Sequence, residues 1–367
     1  LYRAEIADQD KFRTACKVAL QLDPEDRELR AMLAEMDRKS PERWPQAVLG
    51  YRALLKSAPG DPGPIHQLFQ LHNAAGCTDA AFVAATAAEL RGDVTDEERV
   101  FLEANRPRFL KRAVTPLGPA VMESLRHVDD EPGLATLFRI ISPVVQQMHP
   151  LLVSDLGLEQ SDLVDPGELP EAFAAVLRYV ATQLDLELPV VAARADLEHD
   201  IQSAGTDPPL ILVGAQALAS VDRLELCFRI GRALRMLSPG RRLAAWRPRG
   251  VLRSYILAAM GVTFPGIDLP DPEGEVRRLR KHLESTDVHL AIKDSVSNLR
   301  GRFKTLNLSD WQRGIQRTAD RIGLLLCTDL KVAGTILASE GGTAEVDLVD
   351  FALSETYGEL RSSPVSY

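Results

Sequence analysis

The sequence predicts a mainly α-helical protein with a small α+β part, and three observations carry that reading. Turn residues in the N-terminal third return every 35 residues, a spacing that suits stacked helical hairpins. Hydrophobic residues make up 45% of the 367 but aromatics only 5%, so alanine and aliphatic side chains must build the core, as in closely packed helices. Between residues 189 and 213 the pattern changes to short apolar runs bounded by Pro, Asp and Gly, the signature of a little sheet.

In the N-terminal third, Leu22-Asp23-Pro24-Glu25-Asp26 is followed by Ser57-Ala58-Pro59-Gly60-Asp61 and then by Gly92-Asp93-Val94-Thr95-Asp96. Leu20, Leu55 and Leu90 keep the same step, as do Ala15, Gly50 and Ala85, and Val18, Ala53 and Ala88. Small residues at fixed places let two antiparallel helices approach, leucines fill the seam, and an aspartate after each turn caps the next helix. This pattern resembles the tetratricopeptide repeat, with Ala47-Val48-Leu49-Gly50-Tyr51-Arg52-Ala53-Leu54-Leu55 as its best-matching second helix, and it covers residues 1–106. The resemblance implies a helical scaffold rather than a catalytic pocket, and short arrays of this kind usually need a cap, which a following domain could provide.

Pro107, Pro116, Gly118 and Pro119 break the helical pattern, so a domain joint is expected between 107 and 130, inside a helical connector spanning 107–165. Leu134–Met148 reads as an apolar helix interrupted at Pro143 and ended by His149-Pro150. Pro166–Leu184 reads as another, with Phe173, Val176, Leu177, Val180 and Ala181 on one face. The runs 189–194 and 210–213 read as strands, with 199–203 a third. An amphipathic helix, Arg223–Leu237, comes next, and the run Arg317-Thr318-Ala319-Asp320-Arg321-Ile322-Gly323-Leu324-Leu325-Leu326 lies on a later helix.

Strand, short helix, long helix and a later Ala-Asp-Arg-x-Gly-Leu helix resemble the HtpX and CAAX-prenyl protease family of zinc metallopeptidases, over residues 165–340. In that family the long helix carries HExxH, which places two His one turn apart on a zinc ion with a general-base Glu between them, and the later helix adds a Glu ligand from ExxAD. Aligned on Glu225–Gly231, the motif falls on Arg232-Ala233-Leu234-Arg235-Met236. Arg232 and Met236 then replace the two His, Ala233 the base and Gln316 the ligand Glu, while Ala319 and Asp320 are kept. A guanidinium repels a divalent cation, and a thioether or an amide is a poor zinc ligand. The resemblance therefore implies a zincin-like domain over 166–367 with no metal, no cofactor and no hydrolysis by that mechanism. It also implies an ion pair between Arg232 and Asp320 in the metal's place.

The rest of the composition narrows the function further. A net charge of −9, from 43 basic and 52 acidic side chains, argues against nucleic acid or an anionic membrane as a partner for the whole surface. Against that balance, Arg229, Arg232, Arg235, Arg241, Arg242, Arg247, Arg249 and Arg253 occur with no Asp or Glu among them. Arg241, Arg242, Arg247 and Arg249 are expected on a loop, where with Trp246 they form a candidate site for an acidic partner, a phosphate or single-stranded nucleic acid. The preferred alternative is internal pairing with carboxylates such as Asp196 and Glu198. Cys16, Cys77, Cys227 and Cys327 lie far apart and read as free thiols. The seven His form no one-turn pair: His282 and His289, expected on one helix, are too far apart for a shared metal. No serine lies in a nucleophile motif, and Gly341-Gly342 is a turn rather than a phosphate loop.

No apolar run approaches the ~20 residues that cross a bilayer. The first residue is Leu1 rather than Met, so the chain is expected to be cut from a longer one, with the cytoplasm as the default location. The expected function is non-catalytic binding of other proteins or peptides. The alternatives are an active hydrolase with a site of another kind, or a phosphate or nucleic-acid binder working through residues 229–253.

Overall fold

The computed structural model describes residues 9–109, 116–271, 274–302, 306–341 and 343–362. Leu1, Gly342 and part of the expected joint (residues 110–115) lie outside them. Contacts divide the described residues into two units, 9–109 with 328–362, and 116–327.

The first unit is built from the periodic segment. Its helices are α1 (Gln9–Leu22), α2 (Arg27–Arg38), α3 (Trp44–Ser57), α4 (Gly63–Ala74), α5 (Thr78–Leu90) and α6 (Asp96–Phe109). Asp26 caps α2, its Oδ1 accepting from the Leu29 amide at 2.9 Å. At the second turn Asp61 Oδ1 accepts from the Gly63 amide at 3.0 Å. The third turn departs from the pattern: Thr95 caps α6, accepting from the Glu98 amide at 3.2 Å while the Glu98 carboxylate accepts from the Thr95 amide at 2.8 Å. This reciprocal pair satisfies two otherwise free N–H groups. Pro107 stands inside the span of α6 rather than ending it. Gly50 is small for a packing reason, because a Cβ there would lie 2.8 Å from Cβ of Ala34 on the neighbouring helix. Tyr51, Leu54, Leu68, Phe69 and Phe82 fill the core between the hairpins.

The same unit contains α17 (Leu330–Glu340), α18 (Ala344–Ala352) and α19 (Glu355–Ser362). The sequence places these helices in a second domain running from 166 to 367; in the structure they instead fold with the N-terminal helices. Long-range ion pairs hold them there. Arg106 bonds Asp329 at 2.8 Å and also Glu89, and Lys331 bonds Glu89 at 2.9 Å. Arg361, 4% exposed in its side chain, donates Nη2 to Asp79 at 2.8 Å. The chain thus supplies its own cover for the helical stack, meeting the need for a cap that a short array has.

The second unit holds α7 (Pro119–Ser124), α8 (Pro132–Met148), α9 (Glu171–Gln183), α10 (Ala215–Ala219), α11 (Arg223–Leu237), α12 (Arg242–Trp246), α13 (Arg249–Thr263), α14 (Glu275–Glu284), α15 (His289–Leu299) and α16 (Leu308–Cys327). Pro143 is accommodated within α8, which ends at His149 as expected. His282 and His289 fall on separate helices, because the chain turns at Ser285–Val288. Four short strands, β1 (Leu163–Val164), β2 (Val190–Ala193), β3 (Ile201–Ala204) and β4 (Leu210–Val213), form one mixed sheet in the order β1-β2-β4-β3. β2 and β4 are parallel, and the other two pairs are antiparallel. β4 is buried along its whole length, which is why it reads as a continuous apolar run rather than an alternating one. The protein is therefore mainly helical with a small mixed sheet. None of its described helices is long and apolar enough to cross a membrane.

Candidate functional site

In the second unit the side chains singled out from sequence gather on two neighbouring features of α11. The first is the crossing of α11 with α16. A Cβ on Gly231 would lie 3.3 Å from Cα of Gly323, and one on Gly323 would lie 2.9 Å from the Phe228 carbonyl oxygen. The approach requires glycine at 323 and is made easier by glycine at 231. One residue beyond Gly231, Arg232 reaches across, its Nε 2.8 Å from Oδ1 of Asp320. Asp320 is buried, with a side chain 3% exposed, and Nη1 of Arg317 lies 3.8 Å from its other oxygen. The Arg232 guanidinium also sits 5.3 Å from the centre of the Phe228 ring, a cation–π distance.

The expected pair of Arg232 and Asp320 is thus present, with Arg317 as a third member that the sequence reading did not include. Ala233 is buried beside them and offers no polar atom. Met236 packs against the core formed by α8, α13, α14 and α15. Gln316 is exposed, whereas Asp320, one turn on, is buried, so Gln316 does not join the cluster. These residues do not fit a zinc ion: a carboxylate already matched by guanidinium groups, a core thioether and a solvent-facing amide make no ligand set.

The second feature lies at the C-terminal end of α11. Asp130, fully buried, accepts two bonds from Arg241, from Nη2 at 2.8 Å and from Nε at 3.3 Å. Arg126 donates to the Asp130 carbonyl at 3.1 Å. Burial pushes the Arg235 pKa down to about 10; the charge of Arg241 adds to this and Asp130 opposes it. Arg235 still carries its charge at neutral pH.

The arginine-rich stretch consequently does not form the cationic loop expected of it. Arg242–Trp246 is a helix, and α13 begins at Arg249. Besides Arg241 on Asp130, Arg247 donates to the His149 carbonyl at 2.6 Å and Arg242 to the Leu237 carbonyl at 3.4 Å. Arg249 donates to the Ser309 hydroxyl. Burial holds the Arg242 pKa below its usual value. Trp246 donates its indole N–H to the Ser203 carbonyl and packs against the sheet, so its ring is no free stacking platform. Arg229 pairs with Glu225 at 2.8 Å, whereas Asp196 is taken by Arg194 at 2.8 Å. Of the eight arginines only Arg249 and Arg253 are exposed. The internal pairing anticipated from sequence is present, but with other carboxylates than those named.

The first unit carries a feature that the sequence reading missed. A groove of about 640 Å³ opens between α3, the start of α5 and the C-terminal helices, with Trp44, Val48, Leu49, Val83 and Leu353 on its walls. No local motif marks it, because its two walls come from segments about three hundred residues apart in sequence.

Comparison of the chain with protein-family models, with curated proteins and with solved structures finds no match to any of them.

Proposed function

We propose that the chain is a non-catalytic scaffold that works by binding another protein. The observation that carries this reading is the ion pair of Arg232 with Asp320, with Arg317 beside it. The resemblance to zinc metallopeptidases would put metal ligands and a general base at Arg232, Ala233, Met236 and Gln316. A fixed positive charge stands there instead, no residue among the four can take a proton from water at neutral pH, and the carboxylate nearby is neutralised. On this reading the helix crossing has kept a framework while its chemistry has been replaced by a structural clamp. The binding half of the proposal draws its support from the first unit, where tetratricopeptide-like hairpins and an open apolar groove offer a surface of the kind partner proteins use.

The test uses the full chain. Purified protein is equilibrated with zinc, freed of excess metal and analysed for bound metal and for cleavage of a mixed peptide substrate. In parallel it serves as bait in a native extract with and without nuclease. The reading expects sub-stoichiometric zinc, no cleavage, and a nuclease-resistant protein partner that rebinds in purified form. One zinc per chain together with cleavage would overturn it, as would capture that nuclease abolishes.

A further inference from the structure

The groove of the first unit has a charge layout that specifies its occupant. Its inner wall is apolar. The indole N–H of Trp44 is satisfied by the Arg38 carbonyl at 2.9 Å, which leaves the ring as lining, and Leu49 is 59% exposed at the groove. A leucine left that open costs hydrophobic free energy that a covering side chain would recover. Burial lowers the pKa of His72 in the lining, so the imidazole is neutral at neutral pH and keeps the floor uncharged.

One cation lies in this wall. Arg52 lines the groove with its Nε buried and without a hydrogen-bond partner, and no carboxylate among the described residues pairs with it. Asp79, also in the lining, is committed to Arg361, which grips it from Nε and Nη2 at 2.9 and 2.8 Å. The part of the lining that α19 supplies carries Glu355 and Glu359, one turn apart, both exposed and neither in an ion pair among the described residues. The groove therefore presents an unmatched guanidinium, an apolar strip and an unmatched pair of carboxylates.

We infer that this groove docks an amphipathic peptide segment of another protein. The segment places aliphatic side chains against Trp44, Val48 and Leu49, one carboxylate on Arg52, and a lysine or arginine against Glu355 and Glu359. The inference deepens the scaffold reading and rests on it. A polyanion such as nucleic acid is disfavoured by Glu355 and Glu359, and a simple fatty acid would satisfy Arg52 but leave both glutamates unanswered. A peptide segment that combines an apolar strip with one acidic and one basic side chain answers all three features at once.

The test pans a displayed library of random peptides, each about a dozen residues long, on the full chain. Counter-selection uses a Leu49→Asp variant, whose substitution lies at an exposed site and whose helical circular dichroism should match that of the wild type. A thiol-reactive dye on Cys77, exposed in the groove lining while Cys16, Cys227 and Cys327 are buried, reads binding of the selected peptides. The selected peptides should combine aliphatic residues with one Asp or Glu and one Lys or Arg. Their affinity should fall about tenfold or more on Leu49→Asp and on Arg52→Gln. A variant with both Glu355→Lys and Glu359→Lys should prefer peptides with the basic residue changed to Glu. The inference is overturned if no peptide survives counter-selection, or if the selected peptides bind all variants equally. It is also overturned if the wild type forms a dimer that Leu49→Asp disrupts, because a second copy then covers the face. Retention of the native partner by Leu49→Asp would remove the groove as its site while leaving the scaffold reading intact.

Discussion

Gly231 and Gly323 face each other where α11 crosses α16, so closely that a Cβ on the first would come within 3.3 Å of Cα of the second. The two positions are not equivalent. A Cβ on Gly231 first meets the end of the Leu326 side chain at 3.0 Å, which can give way, whereas one on Gly323 meets the Phe228 ring at 2.8 Å and the Phe228 carbonyl oxygen at 2.9 Å. Gly323→Ala is expected to lower stability by about 1–3 kcal/mol through forced separation of the helices, and Gly231→Ala by less. Urea denaturation midpoints check this, and equal loss at the two sites would contradict it.

Arg232 and Asp320 make the same crossing electrostatic as well as steric. Asp320→Asn removes the carboxylate that two guanidinium groups approach, and the expected cost is about 3 kcal/mol, the lower end for a broken buried pair because Arg232 keeps some solvent contact. Arg232→Met should cost less, since Arg317 remains near Asp320. Combining Arg232→Met with Asp320→Leu should recover most of the loss, because apolar residues of similar volume often replace a buried pair without penalty. A cycle of Arg232→Met, Asp320→Leu and their combination showing strict additivity would mean that the two residues do not act as a pair.

The first unit should not survive loss of its distant part. Ending the chain after Cys327 removes the helices that Arg106, Glu89 and Asp79 hold by ion pairs. Residues 9–109 of that truncated chain are expected to lose protection from hydrogen exchange together, as one cooperative block. Arg361→Ala in the full chain should have a milder effect of the same kind, confined to α19 and the start of α5. Unchanged protection in the truncated chain would mean that the N-terminal helices are self-sufficient.

His66 gives the first unit a dependence on pH. Burial works to lower its pKa, but the Glu98 carboxylate 2.8 Å from Nδ1, with Asp93 on the far side, outweighs it and leaves the pKa raised. A base whose folded pKa is raised contributes stability that is complete below its ordinary value of 6.5 and is lost as pH rises through the folded value. His72 is shifted the opposite way by burial and so opposes folding as pH falls through its ordinary value. Stability measured from pH 5.5 to 8.5, a window of roughly one to two units on either side of the ordinary histidine pKa, should therefore fall more steeply toward alkaline pH in His72→Gln than in the wild type. In His66→Gln that alkaline fall should vanish. A His66→Gln variant with an unchanged profile would show that the pair with Glu98 carries no proton linkage.

Legibility of the fold followed the range of the interactions. The span Arg223–Leu237, the end of α8 at His149 and the strand Leu210–Val213 were readable because caps, prolines and apolar periodicity act within a few residues. The bounds of α9 were less clear: the pattern begins at Pro166, but the helix starts only at Glu171, after the Asp165–Gly167 turn. In the clamp on α16, Arg232 and Asp320 were found by placing two helix motifs against each other. Arg317 occupies a position that the ExxAD motif leaves open, so nothing local marks it as a partner of Asp320, and Gln316, one turn before Asp320, is exposed to solvent. For the arginine-rich stretch, the charge excess was plain, while the carboxylate that receives Arg241, Asp130, sits more than a hundred residues upstream in a loop with no pattern of its own.

By itself the sequence determined that the protein is mainly helical, where its N-terminal hairpins turn and where three of the four strands lie, because those outcomes rest on local propensity, capping and period; β1 falls in the stretch expected to be a helical connector. Only the tertiary structure decided that residues 328–362 close the N-terminal unit, that Arg241, Arg242, Arg247 and Trp246 make internal hydrogen bonds, and that an apolar groove lined by Arg52, Glu355 and Glu359 exists at all. Each of these is a pairing of surfaces far apart along the chain, and the free energy that selects one pairing belongs to both surfaces together, so neither segment alone carries its mark.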